Sequence, residues 1–307
     1  MRRPVSAQGS DTTARDAAQA YLDGGGDALG AVVSGFFAAA GESPGVLFGA
    51  VGLIVAQVGM GVRAFDGRQR QPGLGQRRAR GLAPGDAVPT AARVAVPGGI
   101  AALLVALRYG RSTSLSKILA PGIALATKAG CERRVEVLDA IARLGPAALA
   151  SPGIARPLIH LAGPSEGGAL GLNDLESIPE LDQPARAGAA AGQRTPPWAG
   201  ERLESVHVSD SDWEDQALRQ HGLCASDASG GLAAMCFDNA ISGLRVDSLE
   251  LVLPLNAVPV RRGLPRITPG RFLPAPAPLS IELGAGDVPF SATIALADRQ
   301  SLRVYAS

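Results

Sequence analysis

The sequence predicts an α+β fold, with helices gathered in the first part of the chain and short strands in its last third. Two patterns carry this. From Thr12 to Leu161 apolar residues recur mostly at three- and four-residue spacings, interrupted by one glycine-rich apolar stretch. Beyond residue 204 apolar residues gather in runs of six or seven bounded by turn residues. Helices first and strands later point to packed layers rather than alternating βαβ units.

The elements follow in order. Thr12 to Leu22 places Ala14, Ala17, Ala18 and Tyr21 at helical spacing, and Gly24-Gly25-Gly26 stops it. Asp27 is a fitting N-cap for a second, nearly all-apolar helix from Ala28 to Ala40. After the turn at Glu42-Ser-Pro-Gly comes Gly45 to Val62, 18 residues without a charge. That length sits at the edge of a membrane span. Its five glycines and Gln57, with no flanking aromatic or basic belt, argue instead for a buried strand. A second strand ends near Phe65. Val96-Pro-Gly-Gly then reads as a strand-to-helix turn, followed by a helix to Gly110 and further helices over Ser114 to Ala129, Val135 to Leu144 and Ile154 to Leu161. Gln183 to Gly200 is a linker by composition, rich in Pro, Gly and Ala. Strands are expected at 205–210, 231–237, 249–255, 278–283, 290–296 and 301–306, with a hairpin loop at 225–231.

Composition narrows the function classes. The 307 residues carry 29 Lys+Arg against 28 Asp+Glu, so no global field draws the chain to nucleic acid or an anionic membrane. The loop from Arg68 to Arg80 holds five arginines but no aromatic, and a single-strand groove would interleave the two. It reads as a solvated loop. Cys131, Cys224 and Cys236 form no disulfide framework, and with three histidines they make no zinc spacing. No metal and no cofactor is expected. Arg2 and Arg3 are followed by no apolar run before Gly24, so the expectation is a cytoplasmic protein without an export signal.

Four stretches, in order, resemble the gamma-glutamyltransferase (gamma-glutamyltranspeptidase) family. YLDGGGDALGAVVSGFFAAAG at 21–41 is similar to the family's opening "LxxGGNAxDAAVAxAxxLG". AFDGRQRQP at 64–72 aligns with "ALDFRETAP" without a gap, and residues 94–130 resemble "VPGxxxGLxxALxxYGxLPxxxxLAPAIxLAxxG". Residues 145–177 resemble the segment closing in "GGLLTxEDLAxY". The resemblance implies an N-terminal-nucleophile hydrolase fold, an αββα sandwich, here trimmed. It divides the chain into a tail at 1–16, a large-subunit-like region at 17–183, the linker at 184–203 and a small-subunit-like β-rich region at 204–307. Family members cut themselves before a threonine, which then attacks a γ-glutamyl amide with its own α-amino group as base. Such a hydroxyl needs a positioned base, and the acyl intermediate needs oxyanion donors.

Arg68 falls on the arginine that the family uses to hold the glutamyl carboxylate, a role its planar fork suits. The second half departs from the pattern. Matching Asp227 to the Asp of "TTHxSVVD" puts Gln220 at the nucleophile, and sliding by one to match His221 puts Arg219 there. Neither side chain attacks an acyl group. Cys224 is the nearest substitute, although it lies toward the turn end of its strand, and a lone small thiol is by default core. Asn239 matches the family's "TxN" asparagine and Asn256 the first Asn of "LNNxMDDF", but the acidic pair becomes Val260 and Arg261. Pro274 and Ala275 stand where two serines contact substrate, and the "GSPGG" oxyanion glycines have no counterpart. The expectation is a relative that has lost transferase and hydrolase activity and serves as a subunit or scaffold. It is expected to assemble as a homo-oligomer or with a partner subunit, and to retain at most a glutamate-type ligand on Arg68, Asn239 and Asn256. An active amide hydrolase using Cys224 is the alternative.

Overall fold

The computed structural model describes residues 5–77, 81–110, 114–202, 218–275, 278–296 and 301–306. Two helices open the chain after a short strand. β1 (Ser6–Gly9) precedes α1 (Thr12–Asp23), whose N-cap Asp11 accepts a hydrogen bond from the Ala14 N–H. α2 (Ala28–Glu42) starts at Asp27, whose carboxylate accepts the Gly30 N–H at 2.6 Å. Both caps satisfy amides that a helix start leaves without a partner. Every residue of α2 from Ala28 to Gly41 is buried, because the helix runs under α1 and α4 (Leu115–Lys128) and over the main sheet. Gly41 and Gly122 allow the α2–α4 contact: a Cβ on Gly122 would meet the Phe37 carbonyl at 2.1 Å, and one on Gly41 would meet the Gly122 carbonyl at the same distance. α3 (Gly99–Ala106), α5 (Glu132–Leu144) and α6 (Pro152–Ala162) lie near their expected places, and a short α7 (Leu172–Glu176) follows that the sequence reading did not expect.

The main sheet has six strands, in the order β1, β7 (Leu218–Ser226), β8 (Leu232–Ala240), β2 (Val51–Gln57), β3 (Gly61–Gly67) and β4 (Asp182–Pro184). A second sheet is ordered β13 (Ser301–Tyr305), β12 (Pro289–Ala295), β11 (Leu279–Leu283), β6 (Gln193–Thr195) and β5 (Arg186–Ala187). β9 (Leu244–Val246) and β10 (Leu251–Leu253) form a separate pair. Alternation along the strands builds two cores. Leu53, Val55, Leu223, Met235 and Phe237 face the helices, whereas Ile54, Ala56, Cys224, Ala234 and Cys236 face Ile281, Ala292 and Ile294 of the second sheet. β2 is covered on both sides, which is why it reads as an unbroken apolar run. No helix among the described residues is long and apolar enough to cross a membrane.

The layers are therefore helix, sheet, sheet. No α-helix follows Glu176 among the described residues, so the outer helical layer of an αββα sandwich is not found there. Three readings of the sequence need correction. The supposed tail contributes β1, which pairs with β7 in the register Ser6 to Ser226. The supposed linker contributes β5 and β6 to the second sheet, since its backbone amides find partners on β11 that its small side chains do not advertise. The supposed solvated loop begins with four buried residues, Arg68, Gln69, Arg70 and Gln71, each 5% exposed or less. Their polar ends bond to backbone and carboxylates, which allows burial that charge alone opposes. The strand expected at 205–210 lies outside the described residues.

Candidate functional site

The end of β3, the start of β7 and the turn after β6 converge between the two sheets. Arg68 directly follows β3. Its guanidinium donates to the Asp66 carboxylate through Nε and Nη2, at 3.0 and 2.9 Å, and through Nη1 to Glu201. The rings of Trp198 and Phe272 lie 5.5 and 5.2 Å from it, within cation–π range. Successive turns, Ala199 N–H to the Pro196 carbonyl and Glu201 N–H to the Trp198 carbonyl, lay Trp198 and Glu201 over this arginine. Trp198 is 2% exposed.

Gln220 enters from β7 and stands opposite Asp238 of β8 in the antiparallel register. Directly opposed residues share a face, and the two side chains are hydrogen-bonded. Asp238 is buried, and burial pushes its carboxyl up to about 7 against the pull of that bond. Gln220, Asp238, Cys236, Arg68, Trp198 and Ala275 line a gap that admits no water molecule. Among the described residues that line it, the one candidate nucleophile is the Cys236 thiol, which burial and the neighbouring Asp238 raise to about 12, so it stays protonated and unreactive near neutrality.

The site residues expected from sequence separate into two groups. Arg68 and Gln220 do come together, and Ala275, matched to a substrate-contacting serine, lines the same gap. The other three lie elsewhere. Cys224 is fully buried in the apolar layer between the sheets, its thiol raised by desolvation, and this corrects its reading as a substitute nucleophile. Asn239 sits one residue past Asp238, so alternation turns it to the opposite face, where Oδ1 accepts from the Ser43 hydroxyl at 2.9 Å. Asn256 donates to Gln69 Oε1 at 2.6 Å, and Gln69 in turn donates to the Phe48 carbonyl, so this asparagine braces the strap beside Arg68 without lining the gap.

Sequence reasoning missed Asp238, Trp198 and Glu201. Asp238 was recoverable, because a carboxylate two residues from the core-facing Cys236 on one strand shares its face. Trp198 and Glu201 carry no such signal within a stretch of Pro, Gly and Ala. Among the described residues no group of three or more His, Cys, Asp or Glu is placed to hold a metal ion.

No protein-family model matches the chain, and no curated protein matches it in sequence. Solved structures do match it. A variant of LmbA2991 superposes with a TM-score of 0.70 at 17% identity, covering 95% of this chain and 79% of that one. Cephalosporin acylase from Bacillus halodurans gives 0.66 at 16% identity, covering 95% and 78%. Helicobacter pylori gamma-glutamyltranspeptidase gives 0.50 at 21% identity, covering 60% and 67%. The chain has the N-terminal-nucleophile hydrolase fold.

Within the N-terminal-nucleophile hydrolase fold the β7–β8 hairpin is central, and its turn is tied to the helical layer. Asp227 accepts hydrogen bonds from Ser229, Gly231 and the Ala28 N–H at the start of α2. Burial works against its charge, but those bonds prevail and hold the carboxyl below its ordinary range. Asp238, on the same hairpin, behaves in the opposite sense. Its folded-state value of about 7 lies above the ordinary 3.8, so folding takes up a proton. The associated stability is fully present below about pH 4 and lost as pH rises through 7, at most about 4 kcal/mol. Asp238→Asn is expected to match the parent protein at pH 4 and to unfold at a higher temperature at pH 8. Thermal melts across that window measure the difference.

Proposed function

We propose that the protein is a non-catalytic relative of the gamma-glutamyltransferases that works as a subunit or binding scaffold. The observation carrying this reading is the state of Arg68. The side chain matched to the family's carboxylate anchor is spanned by the chain's own Asp66 and Glu201, beside a glutamine at the position of the nucleophile. An amide has no lone pair basic enough to attack an acyl carbon, and a gap closed by Trp198 leaves no space for an acyl group. A glutamate-type ligand would reach Arg68 only by displacing Glu201.

Assembly into a homo-oligomer or with a partner subunit belongs to the same proposal. Phe290 and Tyr305 are exposed on the second sheet, in edge-to-face contact at 5.7 Å, and Val288 is exposed immediately before β12. Exposed apolar side chains on a sheet favour a covering surface.

The test is the mass of the freshly purified chain, first denatured and then native, beside an assay with a γ-glutamyl anilide. The expected result is one uncleaved species at 31.2 kDa, no turnover, and a native mass of a dimer or larger. Two fragments split between Ser205 and Asp227 would overturn the reading, and the new N-terminal residue would name the nucleophile. A stable monomer would remove the assembly role.

A further inference from the structure

The two carboxylates that hold Arg68 differ sharply in setting. Asp66, at the end of β3, is 1% exposed and takes Nε and Nη2 of the guanidinium. Glu201 meets Nη1 alone, and its side chain is 54% exposed. The first contact belongs to the core. The second sits at the surface, where an ion pair contributes little to stability and water competes for both partners.

Glu201 arrives on a short turn that begins with Pro196 and Pro197. Ala199 and Glu201 donate their N–H groups to the carbonyls of Pro196 and Trp198. Gly200 takes a φ of 85°, a value that suits glycine, with open space where a Cβ would be. Arg186, also exposed, donates to the Ala199 carbonyl. The side chains that anchor the turn through charge, Glu201 and Arg186, are thus both at the surface. Trp198 is buried, yet its indole Nε1 has no hydrogen-bond partner among the described residues. A buried N–H without an acceptor opposes closure. The closed turn is therefore held by packing and an exchangeable ion pair, and it leaves a donor unsatisfied near Arg68.

Resting on the non-catalytic reading above, we infer that residues 196–201 form a latch in which the Glu201 carboxylate is a built-in competitor for the outer side of Arg68. A small free carboxylate binds by taking the place of Glu201, accepting from Nη1 of Arg68 and, as the turn lifts, from the indole N–H, while Asp66 keeps its place. Tethering gives Glu201 a high effective concentration, and the apparent affinity for a free carboxylate falls by the fraction of molecules in which the latch is open. Glu201 and Trp198 act together because the Glu201 N–H to Trp198 carbonyl bond makes them one turn.

The test titrates the full chain with glutarate, and with glutaramide as the uncharged analogue of the same shape, at constant ionic strength. The chain has two tryptophans, so a Trp213→Phe background makes the fluorescence of Trp198 the readout. Glu201→Gln, a change at an exposed position checked for folding by its melt, is expected to tighten glutarate binding about tenfold over the parent, the worth of one charge-assisted hydrogen bond. Gly200→Ala alters no charge but strains the turn, and is expected to shift binding in the same direction. Glutaramide is expected to bind neither variant. A gain with glutarate in neither variant would overturn the latch and leave the non-catalytic reading standing. An equal gain with glutaramide would overturn the competition between carboxylates. Turnover of a γ-glutamyl anilide by these proteins would instead overturn the non-catalytic reading, whatever the binding shows.

Discussion

Arg68→Ala is expected to destabilise the fold by about 3–5 kcal/mol, measured by urea or thermal unfolding. Arg68 is 4% exposed and forms an ion pair with Asp66, itself 1% exposed. Removing it leaves a buried carboxylate uncompensated, and that penalty exceeds the ordinary worth of an ion pair. The cation–π contacts to Trp198 and Phe272 go with it. Arg77→Ala provides the contrast from the same loop. That residue is exposed, and its loss is expected to fall within about 0.5 kcal/mol of zero. An Arg68→Ala variant as stable as the Arg77 one would mean that the Asp66–Arg68–Glu201 cluster does not form and that the site is open.

Trp198→Ala is expected to cost a similar amount, about 3–5 kcal/mol, as large-to-small changes at buried aromatic positions do. Composition assigns residue 198 to a linker, where a substitution would move stability by no more than about 0.5 kcal/mol. The large value is expected because the indole is 2% exposed and closes the gap between the sheets against Arg68, Gln220 and Asp238. A second readout separates closure from simple packing. In the Trp198→Ala protein the Asp238 carboxyl gains access to water, which lowers its desolvation, so the loss of stability between pH 4 and pH 8 is expected to shrink relative to the parent. Unchanged stability together with an unchanged pH profile would mean that Trp198 lies outside the site.

Much of the helical layer was legible because its rules are local. Asp27 before an apolar run and Gly24 after another mark helix ends through backbone hydrogen-bonding needs that any chain has. The apolar stretch from Gly45 to Val62 could be assigned to strand rather than membrane because its glycines disfavour a long helix. What it packs against was not legible, since both faces of β2 are covered by elements distant in sequence. The same limit applies to Arg68. Its alignment pointed to a carboxylate partner, and carboxylates do meet it, but they belong to Asp66 and Glu201 of the chain itself.

Sequence by itself determined the α+β class, the approximate places of the longer helices and the hairpin turn at Asp227, because each depends on residue type and spacing over a few neighbours. Tertiary structure alone decided that the supposed tail and linker join the sheets, that four residues of the arginine-rich loop are buried, and that Asn239 faces away from the gap while Asp238 faces into it. Those outcomes depend on which strand lies beside which and in what register, and a shift of one residue along β8 reverses the face that each side chain presents.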